Sequence, residues 1–259
     1  TKGDDRRYSL YFEGVYMNAE VVVNGTSTGT QHYGYSSFLR DVTELLREGD
    51  NEVVVRVDNS QQKNCRWYTG SGIYRHVWLI ETADVHFKHW GTFVTTPVVA
   101  QDDMSRVDVQ TVIVNESDRD RVLDMCFKIA QDESIGGGFS SMHSRTVRVK
   151  PHEELEVSHL FDVPHAHLWS PDTPHLYHAT LTISENNKPI DVTTQTFGIR
   201  SIAFNSEQGF LLNGQPIKLN GGCLHHDNGI LGAAAFDRAE ERKAELMKAA
   251  VSLWVPMVW

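Results

Sequence analysis

Two short stretches of this chain concentrate side chains able to do chemistry. The first covers residues 64–79 and reads Asn64-Cys65-Arg66-Trp67-Tyr68-Thr69-Gly70-Ser71-Gly72-Ile73-Tyr74-Arg75-His76-Val77-Trp78-Leu79. Arg66, Trp67, Tyr68, Tyr74 and Arg75 crowd planar rings and multi-donor groups together, with two glycines between them. Rings of this kind cover the C–H face of a sugar, while polar groups bridge its hydroxyls. The same residues also suit a structural role, with Trp67, Tyr74 and Trp78 in a core and Arg75 in an ion pair. The second stretch is Gly221-Gly222-Cys223-Leu224-His225-His226-Asp227-Asn228-Gly229, directly after the apolar residues 217–219. Polar groups at the C-terminal end of a strand that feeds a helix are where barrel enzymes place their site residues. His225, His226 and Asp227 could hydrogen-bond a substrate, hold a metal or simply form a loop. Adjacent strand residues point to opposite faces, which argues against joint chelation of one ion.

The remaining motifs are weaker. Gly136-Gly137-Gly138 lacks the Gly-Lys-Ser/Thr that would hold a phosphate and reads as a turn. His165 and His167, or His175 and His178, have spacings open to a metal, though dispersed surface histidines are the simpler reading. Asn24-Gly25-Thr26 and Asn115-Glu116-Ser117 match the glycan acceptor pattern. No His-Glu-x-x-His helix occurs. Cys65, Cys126 and Cys223 are far apart and read as free thiols.

The elements that must position these groups are mainly strands. Residues 51–59 place Val53, Val55 and Val57 on one face, the period of two of a half-buried strand. Val107, Val109, Thr111 and Ile113 alternate in the same way. Asn24-Gly25 sits between extended runs and predicts a tight hairpin, and Asn213-Gly214 predicts another. Short strands separated by frequent turns point to antiparallel β-sandwiches. Boundaries are expected near residues 81–84 and 198–201. A strand over 217–219 then leads to one helix. Asp237 is its expected N-cap, with Glu240 completing a capping box and Ala239, Leu246, Met247 and Ala250 forming its apolar face.

With 259 residues, the chain is long enough for one large domain or two ordinary ones. Its 24 basic and 34 acidic residues give a net charge of −10. That excess argues against nucleic acid or an anionic membrane as the main partner. An apolar fraction of 40% supplies a core and excludes a disordered chain. No run approaches the roughly 20 apolar residues of a membrane helix. Thr1-Lys2-Gly3-Asp4-Asp5 does not read as a signal peptide. The missing initiator Met suggests a processed or cut chain, and the compartment, cytoplasmic or periplasmic, stays open.

Several stretches in order resemble the N-terminal part of glycoside hydrolase family 2, closest to its gut-bacterial β-galactosidase branch. They include Tyr11-Phe12-Glu13-Gly14-Val15-Tyr16-Met17-Asn18, Val23-Asn24-Gly25, Tyr33-Gly34-Tyr35-Ser36-Ser37-Phe38 and residues 64–79. Further on come Leu168-Trp169-Ser170-Pro171, Phe197-Gly198-Ile199-Arg200, residues 209–219 and 225–234, and Phe236-Asp237. The resemblance implies a mainly β fold in three parts. These are a jelly-roll sugar-binding domain (1–82), an immunoglobulin-like sandwich (83–199) and the first strand and helix of a (β/α)8 TIM barrel (200–259). It also implies retaining hydrolysis of β-glycosides by two glutamates about 5–5.5 Å apart. Family members carry these on later barrel strands, the acid in an Asn-Glu pair, whereas Asn51-Glu52 and Asn115-Glu116 lie in the sandwiches. No catalytic residue is therefore assigned, and the chain is expected to be a fragment inactive alone.

The substrate contacts the resemblance implies are His225 against the sugar hydroxyls, with His226 and Asp227 beside it, and Asn64 and Arg66 on the loop reaching toward the barrel mouth. No cofactor site is evident, although full-length members can use Mg or Na ions. The expected partner is a carbohydrate substrate. Alternative readings are a β-glucuronidase or β-mannosidase of the same family, or a non-catalytic carbohydrate-binding or assembly module. Residues 251–259 depart from the family pattern. The edge of the 217–219 strand is expected to be covered by residues 254–259 or by a second copy of the chain, as a homo-oligomer.

Overall fold

A computed structural model of the protein describes residues 5–61, 67–133, 138–219, 223–225 and 227–250, and the backbone of 257–258. The chain divides into two compact units, one comprising Thr1–Thr82 with Leu219–Trp259 and the other Ala83–Lys218. Among the described residues, no helix is long and apolar enough to cross a membrane.

The first unit opens with β1 (Arg6–Phe12), β2 (Val15–Tyr16), β3 (Ala19–Val23), β4 (Thr26–Gln31) and β5 (Phe38–Asp41). It continues through β6 (Val53–Arg56), β7 (Gly72–Ile73) and β8 (Val77–Ala83). Two three-stranded sheets, β5-β1-β8 and β4-β3-β6, are accompanied by the β2-β7 pair. Alternation produces the core: Tyr8, Leu10 and Phe12 of β1 are buried, with less buried residues between them. They pack with Val15, Ala19, Val21, Val23, Phe38 and Val42 in one cluster. The expected hairpin forms, with Asn24 and Gly25 both at positive φ (50° and 86°) and Val23 paired with Thr26. On β6, Val55 packs against the core, as does Val57 just beyond the strand, whereas Val53 is exposed.

The second unit is a two-layer antiparallel sandwich. Its strands are β9 (Val85–Phe87), β10 (Phe93–Gln101), β11 (Met104–Asn115), β12 (Arg121–Gln131), β13 (Ser140–Val149), β14 (Glu153–Pro164), β15 (Tyr177–Glu185) and β16 (Lys188–Phe197). One sheet runs β10-β11-β14, with β9 also on β11, and the other runs β13-β12-β15-β16. The predicted alternation of β11 holds from Ser105 to Asn115, where every second residue is buried. Leu123, Met125, Phe127 and Ile129 of β12 meet Val107, Val109 and Ile113 in the shared core. Arg121, buried at the start of β12, donates to both Glu185 oxygens at 2.9 Å and to Asp84 at 2.8 Å. The unit continues through the hairpins β17 (Ile202–Asn205), β18 (Gly209–Leu212) and β19 (Gln215–Pro216). Asn213-Gly214 makes the β18–β19 turn.

The strand predicted over 217–219 does not form. Pro216 already ends β19, and the Ile217 N–H closes the hairpin on the Phe210 carbonyl at 3.0 Å. The first parallel strand is instead β20 (Cys223–Leu224), followed by the helix α1 (Asp237–Ala250) and β21 (Met257–Val258). Cys223 pairs with Met257 and Leu224 with Val258 in parallel. The C-terminal residues thus supply a strand, but to β20. Among the described residues there is one strand-helix-strand unit and no closed barrel. The helix begins at Asp237 itself, with Ala239 and Glu240 N–H groups bonded to the Phe236 carbonyl. Of its predicted apolar face, Ala239 and Met247 are half-buried, Leu246 is exposed, and the Ala250 side chain lies outside the described residues.

Candidate functional site

Tyr74 anchors the aromatic segment. Its ring is buried, its hydroxyl donates to the Gly34 carbonyl at 2.7 Å, and its carbonyl accepts the Ala235 N–H at 2.8 Å. Burial, with the neighbouring tyrosines, raises its phenol above the ordinary range, so it stays protonated. Gly14 lies beneath this ring: a Cβ there would sit 2.4 Å from a ring carbon. Arg75 places its guanidinium 5.9 Å from the same ring. One tyrosine therefore ties residues 14, 34 and 235 together.

The other rings of the segment face outward. Trp67 is 44% exposed and Trp78 49%, so neither is the core residue that the structural reading required. The Trp67 indole N–H donates to the Tyr35 hydroxyl at 2.9 Å. Tyr35 in turn meets Tyr16 at 5.0 Å and Tyr33 at 5.9 Å between ring centroids. His225, just beyond β20, sets its imidazole 6.0 Å from the Trp67 ring. The result is an exposed aromatic surface bearing hydroxyl and imidazole groups, chemistry suited to a pyranose face and its hydroxyls.

The turns after His225 are held by their own side chains. The Asp227 N–H reaches the His225 carbonyl at 2.8 Å, and the Asp227 carboxylate accepts the Gly229 N–H at 2.9 Å. Asn228 donates from one amide nitrogen to the Ala234 carbonyl and to Glu240, both at 2.9 Å. Ala233 packs on Gly70, where an added Cβ would come within 2.4 Å of the Ala233 Cβ. The start of α1 is held by a polar chain. Glu13 accepts the Trp78 indole N–H at 2.9 Å and meets His76 at 3.0 Å, and His76 lies 3.5 Å from Asp237. Desolvation raises the Glu13 pKa, but its bonds to Trp78 and His76 outweigh that and leave it lowered.

Of the predicted site residues, His225 joins the aromatic surface and Asp227 is committed at least partly to a turn. Asn64, Arg66 and His226 lie outside the described residues. Tyr33 and Tyr35 complete the surface. Their signal was the run Tyr33-Gly34-Tyr35, two rings one strand-period apart beside a small residue. Both glycan patterns are occupied by structure. The Asn115 amide is buried and donates to the Arg119, Val149 and Lys150 carbonyls, and the Asn24 amide donates to Leu45 and Asn51. Among the described residues no group of three or more His, Cys, Asp or Glu could hold a metal. His167 and His175 contact one another at 5.2 Å, and His178 bonds Asp132.

The family "Glycosyl hydrolases family 2" matches residues 85–200, and its sugar binding domain matches residues 2–83. The β-galactosidase BoGH2A of Bacteroides ovatus is 39% identical over 244 residues, covering 93% of this chain and 28% of that protein. A putative β-glucuronidase of Formosa agariphila is 35% identical over 225 residues, covering 87% of this chain and 21% of its own. A crystal structure of a glycosyl hydrolase family 2 member from Bacteroides cellulosilyticus superposes with a TM-score of 0.88 at 44% identity, over 95% of this chain and 31% of the other. The chain thus spans less than a third of each of these three relatives.

Proposed function

The chain belongs to glycosyl hydrolases family 2, and from that premise we propose that it forms the sugar-contacting N-terminal part of an enzyme that releases terminal β-linked galactose. The observation carrying this reading is the placement of His225 beside the Trp67–Tyr35 pair. An indole face stacks on the C–H surface of a galactoside, and a neutral imidazole offers one donor and one acceptor to its hydroxyls. In the same reading, Asn64, Arg66, His226 and Asp227 are further substrate contacts. Residues 1–82, 83–199 and 200–259 correspond to the jelly-roll, immunoglobulin-like and opening barrel domains.

The chain contributes substrate contacts and no catalytic carboxylate. Its two Asn-Glu pairs support this: Asn51-Glu52 directly precedes β6, and Asn115-Glu116 straddles the end of β11, both beside sandwich strands. A β-glucuronidase is the second reading, favoured by the 35% identity to the Formosa agariphila protein of that description. The two sugars differ in the configuration of the C4 hydroxyl and by one charge, since a glucuronide brings a carboxylate that needs a cationic or multi-donor partner. Titration of the chain with methyl β-galactoside and methyl β-glucuronide, followed by ligand-observed NMR, separates the readings. Galactoside binding weakened about tenfold or more by His225→Ala, the loss of roughly 1.4 kcal/mol, supports the first. Stronger binding of the glucuronide overturns it.

A further inference from the structure

The second sandwich carries an aromatic surface of its own. β9 and β10 both pair with β11: Phe87 stands opposite Ile113 and Phe93 opposite Gln110. Between these registers the β9–β10 side has five residues, 88–92, and β11 has two, so three extra residues bulge from the strand. Bulges of this kind re-aim side chains and recur beside binding sites. Here the bulge is closed by the Gly91 N–H donating to the Lys88 carbonyl at 2.8 Å. Trp90 occupies the third position of that turn, with φ of 58°.

Glycine is the residue favoured there, and a bulky side chain in the left-handed region is strained. The indole that bears this cost is 63% exposed. Strain held at an exposed side chain is a pointer to function.

The surroundings of Trp90 are polar in a particular way. On one side of Gly91 a cleft of about 380 Å³ is lined by Trp90 with Asp191, Thr193 and Gln195. Asp191 is held in place by the N–H groups of Phe87 and Val192, each at 2.8 Å. On the other side a cleft of about 440 Å³ is lined by Phe93, also 63% exposed, with Gln110, Glu156 and Ser158. Each cleft therefore pairs one exposed ring with carboxylate, amide and hydroxyl groups. The core of a protein–protein interface is depleted of charged residues, whereas here Asp191 and Glu156 stand beside the rings, a mixture that matches the alternating C–H faces and hydroxyls of a sugar.

We propose that the 88–92 bulge is a carbohydrate-binding surface in the second sandwich, with Trp90 as the stacking platform for a neutral β-linked pyranoside. It is separate from the His225 surface and stands or falls without it. The test uses the whole chain, with methyl β-glucoside and methyl β-xyloside as probes in saturation-transfer NMR. Trp90→Gly removes the ring while placing the residue that the turn prefers, so its Tm is expected to stay within about 3 °C of the parent. At least one probe is expected to bind saturably and to weaken tenfold or more in Trp90→Gly, with a smaller loss in Gln195→Ala. Three results overturn the proposal: no saturable probe, binding unchanged in Trp90→Gly, or a Trp90→Gly chain whose Tm falls further, which makes the ring a packing element.

Discussion

The indole N–H of Trp67 donates to the hydroxyl of Tyr35 across 2.9 Å, joining two loops thirty-two positions apart. The bond helps to set the tilt of an exposed ring. Tyr35→Phe keeps the ring contacts with Tyr16 and Tyr33 and deletes this acceptor. It is expected to cost about 1 kcal/mol of stability in urea unfolding and to weaken binding of methyl β-galactoside. Unchanged binding in Tyr35→Phe would show that the orientation of Trp67 does not matter.

The loop beyond His225 depends on a close approach at Gly70. A methyl group there would lie 2.4 Å from the Ala233 Cβ. Gly70→Ala is expected to cost roughly 1–3 kcal/mol by overpacking, with Ala233→Gly in the same chain restoring most of it. Failure of that second substitution to rescue would contradict the contact.

In the second unit, Arg121 is the ion-pair hub. Its side chain is 7% exposed between Asp84 and Glu185. Removing it leaves two partly buried carboxylates without this partner, so Arg121→Ala is expected to lower stability by about 3–5 kcal/mol. Denaturant titration followed by circular dichroism measures it; a loss below about 1 kcal/mol would mean the cluster behaves as an exposed one.

The sandwiches were legible because period-two burial is written directly into residues such as Val107, Val109 and Ile113. The hairpins were legible because Asn24-Gly25 and Asn213-Gly214 suit turns that need positive φ. The C-terminal part was less so. An apolar run at 217–219 looks like a strand, but the proline before it and the bond from Ile217 to Phe210 are tertiary choices that composition does not reveal. At the site, His225 stood out by residue type. Its neighbour Trp67 lies 158 positions away in sequence, so their contact is a product of the fold. Asp227 also accepts the Gly229 N–H with one carboxylate oxygen, a turn contact that its residue type does not announce.

A pH effect is expected from the imidazole of His159, which stacks in parallel on that of His143 with centroids 3.9 Å apart. Burial first, then His143 and Arg145, hold His159 below its ordinary value, with Asp108 opposing. A base with a lowered folded pKa stays neutral while the unfolded chain takes up a proton. Its stabilising contribution is therefore complete above about pH 6.5 and declines as pH falls from there toward the folded pKa. Urea midpoints measured across this range should drop on acidification, and His159→Phe should flatten the drop. An identical acid slope in His159→Phe would contradict the assignment.

The most direct measurement is turnover by the purified chain of nitrophenyl β-galactoside, in parallel with binding of methyl β-galactoside. The expected result is saturable binding that His225→Ala weakens, with no release of nitrophenol above the heated control. Heat-labile release of nitrophenol by this chain would contradict the assignment of substrate contact without catalytic carboxylates.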